Sequence, residues 1–134
     1  MLLDVSNDKP KKVWQNRNMS NHFASSVFIN GYIYGISGNT SGGKLTCINA
    51  ETGKTMWSEH RGAENFTVAD MKLIVIDKNG DLLIVRANPS GYGKLAQGSV
   101  MDQKAKYWTA PVLCNSKIYC RNSRGRLVCV KAKK

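Results

Sequence analysis

Three stretches of the chain align with one another. Gly43-Lys44-Leu45-Thr46-Cys47-Ile48 matches Gly80-Asp81-Leu82-Leu83-Ile84-Val85, and both match Gly125-Arg126-Leu127-Val128-Cys129-Val130. The offset is 37 residues from Leu45 to Leu82 and 45 from Leu82 to Leu127. Upstream of each glycine stands a second matched piece, a turn followed by a strand-like run. These pieces are Asn30-Gly31-Tyr32-Ile33-Tyr34, Asp70-Met71-Lys72-Leu73-Ile74 and Asn115-Ser116-Lys117-Ile118-Tyr119. Further upstream lies a short apolar pair in each copy: Val27-Phe28, Thr67-Val68 and Val112-Leu113. The first copy carries an insertion around Asn39 to Gly42.

A repeat of roughly forty residues with several strands in each unit is the pattern of a β-propeller blade. The expected strands of the first unit are Ser26–Ile29, Tyr32–Ile36, Lys44–Asn49 and Thr55–Glu59. Those of the second are Phe66–Val68, Lys72–Ile76, Leu82–Arg86 and Leu95–Ser99, and those of the third Val112–Cys114, Lys117–Arg121 and Arg126–Val130. One small sheet cannot cover both of its faces, so such units stack around an axis. The expected fold is all-β, a partial β-propeller of about three four-stranded antiparallel blades.

Composition agrees with a packed domain. The chain has 134 residues, 42% of them hydrophobic, which argues against wholesale disorder. No run approaches the ~20 apolar residues that a membrane-spanning helix needs. The start, Met1 to Lys12, turns polar after Leu3 and lacks the apolar run of a signal peptide. Charge is uneven. No acid follows Asp102, whereas Lys104, Lys106, Lys117, Arg121, Arg124, Arg126, Lys131, Lys133 and Lys134 do, so this end carries +9 of the net +11. Cys47, Cys114, Cys120 and Cys129 each sit in an apolar run without a Cys-x-x-Cys pair, and His22 and His60 lie far from them. Small buried thiols are expected at these positions, rather than zinc ligands.

One segment is more specific. Leu45-Thr46-Cys47-Ile48-Asn49-Ala50-Glu51-Thr52-Gly53-Lys54-Thr55-Met56-Trp57 resembles the tryptophan-docking motif of PQQ-like propellers, the quinoprotein alcohol dehydrogenase-like and BamB-like repeat proteins. That motif runs roughly Leu-x-Ala-Leu-Asp-Ala-x-Thr-Gly-Lys-x-x-Trp. Ala50, Thr52, Gly53, Lys54 and Trp57 match it, while Cys47 and Asn49 replace Ala and Asp. The resemblance implies that Thr52-Gly53 turns the chain into an outer strand, whose tryptophan docks on a neighbouring blade. A large flat ring is suited to such a seam. The second unit departs from the motif over Ala87 to Leu95, leaving Tyr92 as a substitute for the docking ring. The resemblance also implies a bacterial cell-envelope or periplasmic setting.

The expected organisation is an N-terminal extension over 1–12 and a partial propeller over 13–134. Within it, an outer strand spans 13–19 and blades span 22–60, 64–100 and 107–131. Complete members of such a family have about seven or eight blades of ~40 residues. Three blades do not close a ring and leave an apolar flank. Either the chain is part of a larger propeller, or copies associate into a ring. Val13-Trp14 has three expected places: before the first blade, beside the last blade, or on a second chain.

The residues favour interaction over chemistry. A quinone enzyme would need PQQ, Ca²⁺ held by oxygen ligands and a carboxylate base. Asp70 and Asp81 lie at turns, Asp77 just before one and Glu51 in the docking turn; no catalytic, cofactor or metal set stands out, and PQQ and Ca²⁺ enter only under a dehydrogenase alternative. Lys117, Arg121, Arg124, Arg126 and Lys131 form the expected basic interaction face, suited to a protein partner. Nucleic acid is disfavoured, because Tyr119 is the one aromatic among these residues. Gly38 to Lys44 lacks phosphate-loop spacing, and His22 with Ser25-Ser26 lacks a nearby acid.

Overall fold

The computed structural model describes residues 1–38, 42–101 and 105–132, apart from the side chains of His60 and Arg61. Asn39, Thr40 and Ser41 of the expected insertion, and Asp102, Lys104, Lys133 and Lys134 of the charged end, lie outside the described residues. Every regular element is a strand. In chain order they are β1 (Leu2–Asp4), β2 (Lys11–Trp14), β3 (Val27–Ile29), β4 (Tyr32–Ser37), β5 (Gly43–Asn49) and β6 (Thr55–Ala69). There follow β7 (Lys72–Asp77), β8 (Asp81–Arg86), β9 (Gly93–Ser99), β10 (Val112–Cys114), β11 (Lys117–Arg121) and β12 (Leu127–Lys131). Among the described residues, no helix is long and apolar enough to cross a membrane.

The strands form a seven-stranded sheet β3 to β9 in sequence order, a three-stranded sheet β10-β11-β12 and a hairpin β1-β2. The large sheet is two blades joined by one strand. β6 pairs with β5 through its first half, Thr55 to Ala63, and with β7 through its second half, Ala63 to Ala69. Two separate strands are expected from the sequence over this span; the structure makes them one. Gly62, at φ +106°, lies at the handover, where both ladders shift register. A glycine in that conformation lets a strand bend without ending it. The third blade has three strands among the described residues, one fewer than a full unit.

Matched hairpins repeat in each blade. Asn30-Gly31, Asp70-Met71 and Asn115-Ser116 all have positive φ at both positions, the geometry whose twist suits a two-residue hairpin. At the next turn, the Asp77 carboxylate accepts the amides of Asn79 and Asp81 at 2.8 and 3.0 Å. Asn122 repeats this, accepting from Arg124 and Arg126 at 3.0 and 3.1 Å.

Strand alternation divides the core in two. Tyr34, Leu45, Cys47 and Trp57 from the first blade meet Phe66, Leu73, Val75, Leu83 and Val85 from the second. The other face of the second blade offers Ile74, Ile76 and Leu82 to Tyr107, Ile118 and Cys120. Successive side chains on a strand point to opposite faces, so one strand serves both seams.

This arrangement corrects the expectation that all four thiols are buried. Cys47 and Cys120 are buried, but Cys114 and Cys129 are exposed, and all four are free. The last two lie on the face of the third sheet that no other sheet among the described residues covers. A thiol reagent on the native protein is expected to modify Cys114 and Cys129 within minutes. Cys47 and Cys120 should react only on unfolding. Modification of all four at one rate would contradict the two-sided packing.

Candidate functional site

Ala50, Thr52, Gly53 and Lys54 form the turn between β5 and β6, and Trp57 lies on β6 beyond it. Asn49 organises the turn: its side-chain oxygen accepts from the Thr52 amide and hydroxyl at 2.9 and 3.0 Å. The Gly53 amide donates to the Asn49 carbonyl at 2.9 Å, and the Asn49 amide to the Lys54 carbonyl at 2.9 Å. Ala50 is tied to the preceding hairpin through the Gly31 carbonyl at 2.9 Å. An amide oxygen accepts these bonds as a carboxylate would. Lys54 points to solvent, and Gly53 is buried.

Both tryptophans near this corner bond a backbone carbonyl of the next turn along. The Trp14 indole donates to the Ala50 carbonyl at 3.0 Å, and Asn16 and Asn18 both donate to the Gly53 carbonyl. A Cβ on Gly53, at φ +69°, would come within 2.7 Å of the Trp14 ring. Trp57 is 8% exposed and donates to the Asn88 carbonyl of the second blade at 2.8 Å. Its ring lies 6.1 Å from Tyr34 and 5.9 Å from Tyr92.

Tyr92 therefore packs with Trp57 in the first seam, and does not stand in for a ring in the second. Its position at the foot of β9 sets which seam it reaches. β2 pairs with β1, and the Trp14 indole reaches the Ala50 carbonyl of the first blade. β1 lies within the segment expected as an extension. Its signal in the sequence is only Leu2-Leu3-Asp4, too short to read without its partner strand.

The second seam is clamped by two residues that sequence patterning missed. Glu64, with its side chain 4% exposed, accepts the Tyr107 amide at 2.6 Å, and Lys106 Nζ lies 3.8 Å from its other oxygen. Asn65 donates to the Trp108 carbonyl at 2.7 Å. Neighbouring polar residues at the centre of β6 were the available hint. Trp108 itself remains half exposed, beside Phe23 at 5.4 Å.

Lys117, Arg121, Arg124, Arg126 and Lys131 are all exposed. They divide into two groups. Register places Lys117 opposite Lys131, Arg121 opposite Leu127 and Tyr119 opposite Cys129, on one face of the third sheet. Arg124 and Arg126 lie at the β11–β12 turn. The face is also apolar: Val112 is 57% and Leu127 64% exposed. Repeat register shows what this face is. Tyr34, Ile36, Leu45 and Cys47 correspond to Ile74, Ile76, Leu82 and Ile84, and then to Tyr119, Arg121, Leu127 and Cys129. In the first two blades these positions pack on the following blade.

Burial shifts the titration of several core groups. It pushes the Cys120 thiol up to about 11 from a usual 9.0, and it also raises Cys47, Tyr34 and Tyr92. The folded chain holds these protons where the unfolded chain releases them. Stability from this source is full below about pH 9 and is lost as pH rises toward 11. The melting temperature is expected to fall by several degrees over that window, with a shallower slope in Cys120→Ala. A flat profile from pH 8 to 11 would contradict it.

Among the described residues, no group of three or more His, Cys, Asp or Glu side chains could hold a metal ion. Four described carboxylates accept hydrogen bonds: Asp4 from Ser6, Asp77 from the amides of its turn, Asp81 from Gln97 and Glu64 from the distant Tyr107 amide.

No family model matches the chain. The outer membrane protein assembly factor BamB of Salmonella typhimurium is 25% identical over 127 residues, covering 86% of this chain and 31% of that protein. BamB of Moranella endobia is 30% identical over 105 residues, covering 78% of this chain and 25% of that protein. The chain thus spans about a quarter to a third of the length of these curated relatives. Among solved structures, BamB from Moraxella catarrhalis superimposes with a TM-score of 0.52 at 16% identity, over 79% of this chain and 42% of that one. The N-terminal domain of Nup159 gives 0.56 at 12% identity, over 78% and 29%. At these identities the structural likeness is one of fold. The chain is thus similar to BamB in sequence and in fold, that of a partial β-propeller.

Proposed function

We propose that the chain is a non-catalytic propeller module that serves as a protein-interaction or structural scaffold and works as part of a larger ring. The observation that carries this is the outward face of the third sheet. Its repeat positions pack on a following blade in the first two units, yet here Val112, Leu127 and Cys129 are exposed. Exposed apolar surface on a sheet favours a covering partner. Lys117, Arg121 and Lys131 around it favour an acidic surface on that partner. Further blades or a second copy of the chain would complete the ring equally well. The names of the similar proteins support an assembly role in the cell envelope.

Photo-crosslinking from Cys129 in cells producing the chain tests the proposal. One discrete product is expected, lost in Leu127→Asp while the far-ultraviolet spectrum is unchanged. Reversing Lys117, Arg121 and Lys131 to glutamate is expected to weaken that product about tenfold or more, with reduced salt sensitivity. A folded protein that gives no discrete product would count against the scaffold role. The solution mass of purified chain then separates a second copy from another partner.

A further inference from the structure

The two seams are filled differently, and the repeat register shows why. Cys47 pairs with Trp57 across β5 and β6, and Ile84, the repeat equivalent of Cys47, pairs with Ala96 across β8 and β9. Ala96 thus stands where the first seam has its docking tryptophan. Blades radiate from an axis, so the space between two of them widens toward the outer strands. In the first seam the Trp57 indole fills that wedge. In the second, alanine leaves a cavity of about 560 Å³, bounded by Ile74, Leu82, Ile84, Ala96, Ile118 and Val130. Asp70, Lys72, Gln97 and Lys131 contribute polar groups to its lining. Ala132, at the repeat position of Ala50 whose carbonyl takes the Trp14 indole, also borders it.

We propose that this wedge is a binding site for a small planar aromatic molecule of the indole class. The volume lies within the ~300–1,000 Å³ range of ligand pockets, and an apolar lining with a few polar groups is the usual composition. The occupant is specified by the chain's own first seam. A bicyclic ring, packed between Tyr34 and Tyr92, is the filling that the first seam uses at the equivalent position. β9 supplies no such ring, so the ring comes from outside.

The probe is indole itself, titrated into the full chain. A saturable rise in melting temperature is expected, on the order of 5 °C at tenfold excess over the dissociation constant. Ring-current shifts are expected in the methyl resonances of Ile74, Ile84 and Ile118, and not in those of Ile33 and Ile48 in the first blade. Ala96→Trp is expected to raise the melting temperature without ligand and to abolish the response. If that variant does not fold, the methyl shifts in the unaltered chain still decide the question. The proposal is overturned by no saturable shift, by shifts outside the second seam, or by an equal response in folded Ala96→Trp.

Discussion

Trp57→Ala is expected to destabilise the chain by about 3–5 kcal/mol in a denaturant titration. The ring is buried between Tyr34 and Tyr92, and its loss leaves a cavity between two sheets that share β6. Neither sheet can close the gap without bending that strand. Trp57→Phe separates two parts of the effect. It retains an aromatic ring but removes the 2.8 Å bond to the Asn88 carbonyl, a loss of about 1 kcal/mol plus the smaller packing area. Cys47, which faces Trp57 across the strand pair, should become reactive toward thiol reagents in the alanine variant. A cost below about 1 kcal/mol would show that Trp57 does not join the blades.

Gly80→Ala is expected to cost about 2–4 kcal/mol, much more than the same change at Gly125. The two glycines occupy the same repeat position and have nearly the same φ, +80° and +79°. Backbone strain is therefore common to both, about 1–2 kcal/mol. Their surroundings differ. A Cβ on Gly80 would clash with the Met101 backbone and lie 2.7 Å from the Tyr107 hydroxyl, whereas one on Gly125 meets nothing within 4 Å. Tyr107 is fully buried in the second seam and has little room to yield. Equal losses at the two positions would mean that the seam relaxes around Gly80. The pair thus measures how firmly the third sheet is held, a joint that Glu64 and Asn65 secure from β6.

The repeat, the hairpin turns and the turn between β5 and β6 were legible in the residues. Asn30-Gly31, Asp70-Met71 and Asn115-Ser116 recur because a two-residue hairpin demands positive φ at both positions. Trp57 was legible because Thr52-Gly53 upstream marks the turn that launches its strand. Neither Glu64 nor the role of Ala96 was visible. Glu64 acts on a backbone amide 43 residues away, and no local pattern records such a partner. Ala96 becomes meaningful only when register places it opposite Ile84 and hence level with Trp57.

Period-two alternation in the sequence assigned each strand two unlike faces, and the forty-residue repeat assigned the strands to blades. Both are local properties, set by how successive side chains point along a strand and by which turns reverse it. What covers each face is not local. Cys129 reads as buried from its neighbours Val128 and Val130, yet it is exposed, because nothing else in the described chain packs on the side it faces. Cys120, on the adjacent strand but pointing the other way, is sealed against the second blade. The handover within β6, the move of Tyr92 into the first seam and the open wedge beside Ala96 all belong to the same class. Each depends on how one sheet is placed against another, and that placement follows from packing between residues distant in sequence.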